Sequence, residues 1–188
     1  MDLTNTLVIS NSPSIRAGHY GKQVDAHTNV VRFNRGFVGN DCPDAIGSKT
    51  DTLAMCGCCA MRDDDTLLRA VLDPRWQHVQ TLLCTWYTLR RQDCVKRLQA
   101  ISEHKRVIRL DFGFCRRIEA EAGIHNATSG LLVIAYYLEQ LGSVTTLGFY
   151  GDPDQDAPQR DKRARERDWI HRQPGVHFLE TMTPEATP

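Results

Sequence analysis

Short apolar runs of strand type alternate with helical patterns along this 188-residue chain, and this alternation constrains the fold more than any other feature. Parallel strands need crossover connections, which are usually helices, so the alternation favours a parallel sheet. The sequence therefore predicts an α/β fold of Rossmann type, with a mostly parallel sheet flanked by helices. The predicted strands are residues 7–9, 30–34, 52–55, 79–87, 107–110, 144–149 and 176–179.

The clearest predicted helix covers residues 129–141, where apolar side chains occupy almost every face. Thr128 or Ser129 can cap its start, and Gly142 is a plausible stop. Further helices are predicted after residue 63, over 92–104, and as a short segment over 166–172. Residues 151–165, which are polar and contain two prolines, predict a mobile loop. We expect one domain over residues 1–180 and a disordered tail over 181–188.

The charges point to neither nucleic acid nor a membrane surface as a partner, because 23 basic residues balance 23 acidic ones. No apolar run approaches the roughly 20 residues that a membrane-spanning helix needs. The first ten residues lack the basic start and apolar stretch of a signal peptide. These features predict a protein without a membrane span in this chain.

The chain has seven cysteines, and their number and spacing argue against a disulfide framework or a zinc finger. The only cluster is formed by Cys56, Cys58 and Cys59. We interpret it as buried or half-buried thiols, since the sequence marks no further ligands beside it. A thiol or metal protein built on this cluster remains an alternative.

Polar residues follow the first two predicted strands directly. Residues 10–14, which read Ser-Asn-Ser-Pro-Ser, come after the strand at 7–9, and Asn34 ends the second strand. Open α/β sheets bind ligands outside the carboxyl ends of their strands. The sequence therefore predicts that these turns, with the hydroxyl-rich loop at residues 47–50, line a single pocket for a nucleotide or a sugar.

The order of these residues resembles the large motif of the family 29 sialyltransferases. Its pieces are Asn-Ser at 11–12, Gly-x-x-x-Asp-x-His at 21–27, the apolar-Arg-x-Asn strand end at 31–34 and Gly-Ser-Lys-Thr at 47–50. A second stretch resembles the small motif of that family. It runs from Thr-Ser-Gly-Leu-Leu at 128–132 into the strand at 144–149.

The resemblance implies a GT-A-like variant of the Rossmann fold and a glycosyltransferase that needs no cofactor or metal. The donor would be cytidine-monophosphate (CMP) sialic acid or a related acidic sugar nucleotide, and the acceptor a glycan hydroxyl. Animal members tie the two motifs together with a disulfide, but the matching positions near Thr6 and Gly142 hold no cysteine. This difference favours a reducing compartment, so we expect a cytoplasmic location. The Golgi lumen is the alternative if the chain is a fragment of an anchored protein.

By resemblance, the donor nucleotide contacts two groups of residues. They are Asn11, Ser12 and Asn34 in the large motif, and Thr128, Ser129 and Gly130 in the small one. The start of a helix after residue 128 also offers free N–H groups to a phosphate.

Four further residues of the large motif are charged or titratable. Arg32 and Lys49 could offset phosphate charge, although Arg32 could equally be a structural partner inside its strand. Asp25 and His27 are predicted to be hydrogen-bonded scaffold residues.

The sequence offers three candidates for the catalytic base. The family uses a histidine five residues before a glutamate, and here Glu166 matches the glutamate while Asp161 stands in place of the histidine. An ordinary aspartate has a pKa of roughly 4, which suits a base at neutral pH poorly. The candidates for the base are therefore Asp161, His171 and His177. A nucleotide-binding module that has lost catalysis is the alternative function.

Overall fold

The computed structural model describes residues 5–33, 42–55, 77–85, 99, 102–151 and 160–181. Within these ranges seven strands form one sheet in the order β5-β4-β3-β2-β1-β6-β7, and every neighbouring pair is parallel. This confirms the predicted α/β class, with a sheet that is wholly rather than mostly parallel. The strands are β1 (Thr6–Ile9), β2 (Asn29–Phe33), β3 (Thr52–Met55), β4 (Thr81–Cys84), β5 (Arg106–Arg109), β6 (Val144–Leu147) and β7 (Val176–Phe178).

Five α-helices and two short 3-10 helices accompany the sheet in the described ranges. The α-helices are α1 (Gly21–Ala26), α2 (Pro43–Ile46), α3 (Phe112–Ala122), α4 (Ser129–Leu141) and α5 (Arg160–His171), and the 3-10 helices are Pro13–Ala17 and Leu179–Thr181. Helix α4 has the predicted bounds. The Thr128 hydroxyl caps it by accepting from the Leu131 N–H, and Gly142 ends it at a φ of 78°.

Two helices differ from the sequence prediction. Helix α5 begins at Arg160, so the second half of the predicted loop over 151–165 is helical. Its polar residues are good helix formers but carry no apolar stripe that would have revealed the helix. Helix α3 was not predicted, although Asp111 caps it by accepting from the Gly113 and Phe114 N–H groups. The helix predicted after residue 63 lies outside the described residues, as do most of the helix predicted over 92–104 and residues 182–188.

A buried polar network ties the centre of the sheet to α4. The Asn29 amide donates to the Thr6 hydroxyl at 3.1 Å and to the Tyr137 hydroxyl at 3.3 Å, and its oxygen accepts from Thr52 at 2.9 Å. Burial raises the pKa of Tyr137. Because all four side chains are buried and hydrogen-bonded, the network fixes the register of β1, β2 and β3 beneath the helix.

The strand order reverses between β1 and β6, and this position is called the switch point of the sheet. From β1 the chain proceeds to β2 and onward to β5 on one side, whereas β6 and β7 lie on the other side. The loops that leave β1 and β6 therefore diverge, and such a switch point is where open α/β sheets bind ligands. Among the described residues, no helix has the length and apolar character needed to cross a bilayer.

Candidate functional site

The turn after β1 is fixed to the end of β6. The Ser10 N–H donates to the Leu147 carbonyl at 2.8 Å, and the Ser10 hydroxyl donates to the Gly148 carbonyl at 2.9 Å. The same hydroxyl accepts from the Ser12 N–H at 3.0 Å. Ser10 therefore determines the direction in which the following residue, Asn11, leaves the sheet.

Asn11 connects the end of β1 to the end of β2. Its Nδ2 donates to the Phe33 carbonyl at 3.3 Å, and its side chain is exposed. An amide has one further N–H and an oxygen acceptor beyond this bond. Ser12 lies 2.7 Å from Ser14, hydroxyl to hydroxyl. Asn34, the other predicted amide, lies outside the described residues.

Gly148 follows β6 and lies against Ser10 at the switch point. Its φ is +83°, and a Cβ atom there would lie 2.1 Å from the Ser10 hydroxyl oxygen. The Glu180 carboxylate accepts from the Gly148 N–H. The other oxygen of Glu180 is buried and has no hydrogen-bond partner among the described residues. Glu180, Gly148 and Ser10 thus form a continuous chain of contacts that ends at the Asn11 turn.

Two buried carboxylates hold the turn that precedes α4. The Ala127 N–H donates to Glu119 at 2.9 Å, and Glu119 also pairs with Arg116 at 2.8 Å. Both the N–H and the hydroxyl of Thr128 donate to Glu166, at 2.7 and 2.8 Å. Thr128 is therefore a positioned residue whose donors are occupied from within the protein.

The Glu166 carboxyl gives the protein a pH dependence that can be measured. Burial raises the pKa of Glu166, although the two Thr128 hydrogen bonds and the charges of Lys162 and Arg163 oppose this. The native state then binds the proton more tightly than the unfolded chain does. The free energy of unfolding should fall as pH rises from about 4.5 through the raised pKa, by about 1.4 kcal/mol for each pKa unit.

Urea unfolding of the wild type and of Glu166→Gln across this pH range tests that expectation. We expect the wild type to lose stability relative to the variant as pH rises, because glutamine cannot ionise. Glu121→Gln is the control, since Glu121 is an exposed carboxylate on α3. A wild type that gains stability over Glu166→Gln with rising pH would mean that the Thr128 hydrogen bonds outweigh burial.

Ser129 presents an acceptor rather than a donor. The Thr85 hydroxyl donates to the Met55 carbonyl at 3.1 Å and lies 2.7 Å from the Ser129 hydroxyl. Since Thr85 has only one hydroxyl proton, Ser129 must donate to Thr85. The remaining lone pairs of Ser129 can accept from a ligand hydroxyl or amino group.

Gly130 is needed because Phe149 packs against it. A Cβ at Gly130 would lie 2.8 Å from the Phe149 ring, and that ring meets Phe33 edge to face with centroids 6.5 Å apart. The first turn of α4 is therefore brought against the ends of β2 and β6. Asn11 and Gly130 are thus linked through Phe33 and Phe149, whereas the Ser129 hydroxyl contacts Thr85 beyond β4.

The loop at residues 47–50 does not join this site, contrary to the sequence prediction. It precedes β3, so it lies at the amino edge of the parallel sheet, opposite the Asn11 turn. The Lys49 ammonium donates to the His27 and Thr28 carbonyls and lies 3.6 Å from the Asp51 carboxylate. These contacts place Lys49 among scaffold groups rather than at the predicted phosphate position.

Arg32 has a structural role, which is one of the two roles that the sequence left open. It is 4% exposed and donates to the Lys49, Ile46 and Gly47 carbonyls at 3.0, 2.6 and 3.1 Å. Burial lowers the pKa of Arg32, while the nearby Asp25 and Cys42 groups raise it. Its guanidinium therefore holds the end of α2 and the following loop together.

Asp25 and His27 are scaffold residues, as predicted. Asp25 accepts from the Ser48 and Lys49 N–H groups, both at 2.9 Å, and the His27 Nδ1 lies 2.7 Å from the Gln23 carbonyl.

The three candidate bases lie on α5 and β7. Asp161 is exposed in the first turn of α5, and His177 is exposed on the edge strand β7. The His171 ring, at the end of α5, stacks on Tyr150 with centroids 5.3 Å apart, and its Nε2 lies 3.2 Å from the Tyr150 carbonyl. A carbonyl can only accept, so neutral His171 carries its proton on Nε2 and keeps Nδ1 as the basic nitrogen.

The cysteine cluster at 56, 58 and 59 falls outside the described residues. Burial raises the pKa of Cys84 and of Cys115 to about 11, so both thiols stay protonated at neutral pH. In the described ranges no group of three histidine, cysteine or acidic side chains could hold a metal ion.

Sequence reasoning missed Thr85, Phe149 and Glu180 as parts of the site. Thr85 and Phe149 lie just beyond β4 and β6, but the sequence prediction placed both inside longer strands, at 79–87 and 144–149, which hid the signal that singled out Asn11. Glu180 carried no such signal, because its contact with Gly148 depends on how β7 pairs with β6.

Comparison with known proteins gave one family and several structures. The model of glycosyltransferase family 29 (sialyltransferase) matches residues 3–158. Comparison with curated proteins gave no match. A crystal structure of a mammalian sialyltransferase in complex with Gal-beta-1-3GalNAc-ortho-nitrophenol is similar with a TM-score of 0.64 and 15% identity, covering 93% of this chain and 68% of that one. A mutant of the alpha-2,3/8-sialyltransferase CstII is similar with a TM-score of 0.60 and 15% identity, covering 93% and 81%. At this identity the likeness to both structures is one of fold.

Proposed function

Because this chain belongs to glycosyltransferase family 29, the sialyltransferases, we propose that it moves sialic acid or a related acidic sugar from a CMP-activated donor to a glycan hydroxyl. The observation that carries the proposal is the group of polar side chains along the carboxyl edge of the sheet. Asn11 lies at the ends of β1 and β2. Ser129, in the first turn of α4, contacts Thr85 beyond β4.

The chemistry of this cluster suits a nucleoside monophosphate. Ser129 can accept from a ribose hydroxyl or a base amino group, and Asn11 can both donate and accept. The Ser129 and Gly130 N–H groups lie in the first turn of α4, where N–H groups have no acceptor within the helix, so they can donate to a phosphate. This arrangement supports placing the nucleotide at the carboxyl end of β1, between the Asn11 turn and the first turn of α4.

The proposed reaction is a single inverting displacement. The acceptor hydroxyl oxygen forms a bond to the anomeric carbon of the sugar as the bond from that carbon to the CMP oxygen breaks. The bonding pair leaves with CMP, and the hydroxyl proton goes to a protein base. Helix N–H groups at the departing phosphate would stabilise its growing charge, so the proposal assigns no step to a metal.

His171 is the base that we propose among the three candidates. Its Nδ1 is the basic nitrogen, and its ring is fixed by Tyr150 and Phe178. Histidine titrates near neutrality, which suits proton removal at neutral pH better than the carboxylate of Asp161 does. His171→Ala should then lower kcat far more than His177→Ala or Asp161→Ala.

The test of the proposal is sugar transfer to a pool of galactosides, followed by mass spectrometry. Donors are CMP-sialic acid, a uridine-diphosphate hexose and a guanosine-diphosphate hexose. We expect transfer from the CMP donor alone, and a roughly 10- to 100-fold lower kcat/KM for Asn11→Ala, since each tenfold step corresponds to about 1.4 kcal/mol. Gln140→Ala, an exposed amide at the far end of α4, should behave as the wild type.

The alternative function is a nucleotide-binding module without turnover. It is favoured by one observation, that Asp161 stands where the family has its histidine. CMP binding that depends on Asn11, with no transfer from any donor, would select this alternative. Transfer from a uridine or guanosine donor would contradict both functions.

A further inference from the structure

A cleft of about 870 Å³ lies between α5 and the segment that leaves β6. Its walls include Arg165 and Arg167 on α5, and Arg172, the residue that follows α5. Tyr150 and His171 also line it. The volume is large enough for more than one sugar ring.

The cleft carries excess positive charge. Asp168 is the only acid among its lining residues, and it pairs with Arg167 at 3.1 Å. Three arginines against one aspartate leave a net of two positive charges. Asp168 lies four residues before Arg172, at helical spacing, but its carboxylate pairs with Arg167.

Arg165 and Arg172 each use part of the guanidinium in a hydrogen bond within the protein, and the other N–H groups can bind a ligand. Arg165 donates through Nη1 to the Gly123 carbonyl at 3.0 Å, and Arg172 donates through Nε to the Asp168 carbonyl at 3.1 Å. Each guanidinium has five N–H groups, and both side chains are exposed. An anchored guanidinium is suited to bind a carboxylate through two parallel hydrogen bonds.

Tyr150 adds an aromatic surface to the same cleft. It is one of two large hydrophobic side chains that are exposed in the described ranges, at 47%. Its ring stacks on His171 and meets Phe178 edge to face, with both centroid distances at 5.3 Å. A fixed, exposed ring beside cationic groups fits a ligand with both an apolar face and a negative charge, as an acidic sugar has.

The cleft wall is linked to the first turn of α4 by two residues that neighbour it in the sequence. Tyr150 follows Phe149, which packs on Gly130, and Glu166, between Arg165 and Arg167, bonds to Thr128. A sugar in the cleft would therefore be bound by segments that also contact the first turn of α4.

We propose that this cleft binds a carboxylate-bearing sugar of the acceptor, so that the protein prefers glycans that already carry a sialic or uronic acid. The inference rests on the proposed function and names its acceptor class. Arg165 and Arg172 bind the carboxylate, and Tyr150 packs against the ring.

The test compares lactose with sialylated lactose as acceptors for the wild type and Arg172→Ala. We expect a lower KM for sialylated lactose in the wild type. In Arg172→Ala the KM for sialylated lactose should rise about tenfold, as for loss of one charge-assisted contact, while the lactose constants stay within about twofold. Arg109→Ala, an exposed arginine on the opposite edge strand, is the matched control.

A change in the donor KM of Arg172→Ala, with no change that is selective for the acidic acceptor, would overturn the proposal, because the cleft would then serve the donor sugar. Equal effects on both acceptors would also overturn it. Thermal unfolding of each variant shows whether it is folded. Arg165→Lys is a milder second variant, because lysine keeps the positive charge but cannot make two parallel hydrogen bonds to a carboxylate.

A titration without turnover separates this inference from the proposed function. Sialylated lactose is titrated into the protein saturated with CMP, beside lactose. Binding of sialylated lactose alone, weakened in Arg172→Ala, supports the cleft even if no sugar is transferred. Transfer to lactose with no preference for the sialylated form leaves the proposed function standing and removes the cleft inference.

Discussion

Arg32→Ala should lower the free energy of unfolding by about 3–5 kcal/mol, because it removes a buried guanidinium that serves three backbone carbonyls. Two of those carbonyls, of Ile46 and Gly47, end helix α2. Urea unfolding measures the loss. The variant should keep its CMP affinity within about threefold where it is folded, a change of less than 1 kcal/mol, because Arg32 points toward α2 and not to the switch point.

Arg117→Ala is the matched control for this prediction. Arg117 is exposed and pairs with Glu121 and Glu139 on the surface, so its loss should cost about 1 kcal/mol or less. If Arg32→Ala instead kept its stability and lost CMP binding more than tenfold, the phosphate role that the sequence left open would be correct, and the structural role wrong.

Gly148→Ala should cost about 2–4 kcal/mol and should also weaken nucleotide binding. The new Cβ would meet the Ser10 hydroxyl oxygen at 2.1 Å and the Ile15 side chain at 2.9 Å, at a φ of +83°. Since Ser10 directs the Asn11 turn, moving it should displace Asn11 from the nucleotide. Urea unfolding and calorimetric titration of CMP measure the two effects.

Gly142→Ala separates backbone strain from the clash. Gly142 has a similar φ of +78°, but a Cβ there would meet no atom within 4 Å. Its replacement should cost only the conformational strain, about 1–2 kcal/mol, and leave CMP binding unchanged. Equal costs for the two variants, with CMP binding intact in both, would contradict the role given to the Ser10–Gly148 contact.

The strands and α4 were predictable from the sequence because their signals are local. The apolar strand runs are short and bounded by polar residues, and α4 has both a threonine cap and a glycine stop. Helix α5 was only half predicted, because it is strongly polar and buries few residues, among them Glu166 and Trp169. Its stability depends on packing against α3 and α4, which no local pattern reveals.

The candidate site was predictable where a residue follows a strand or opens a helix. Asn11 was found because it follows the strand at 7–9, and Ser129 because it opens a helix in the stretch that resembles the small motif. The prediction that the loop at 47–50 lines the same pocket was wrong, because this loop precedes β3 instead of following a strand. In a parallel sheet, a loop that precedes β3 must lie at the amino edge, so the predicted fold already opposed that assignment.

Contacts between distant segments could not be predicted from one sequence. Glu180 and Gly148 are 32 residues apart, and Glu166 and Thr128 are 38 apart. Both pairs depend on the placement of β7 and α5 beyond β6. These contacts position the Asn11 turn and the start of α4, so the parts of the site that determine its geometry were the parts least visible in the sequence.

The central claim is that the switch point between β1 and β6 binds the nucleotide of a CMP-sugar donor. Calorimetric titration of CMP into the wild type and into Asn11→Ala tests it most directly, with uridine monophosphate and Gln140→Ala as controls. We predict that CMP binds the wild type and Gln140→Ala more tightly than uridine monophosphate does, and that Asn11→Ala loses this binding. Absence of CMP binding in a folded wild type, or equal binding by the wild type and Asn11→Ala, would contradict the claim.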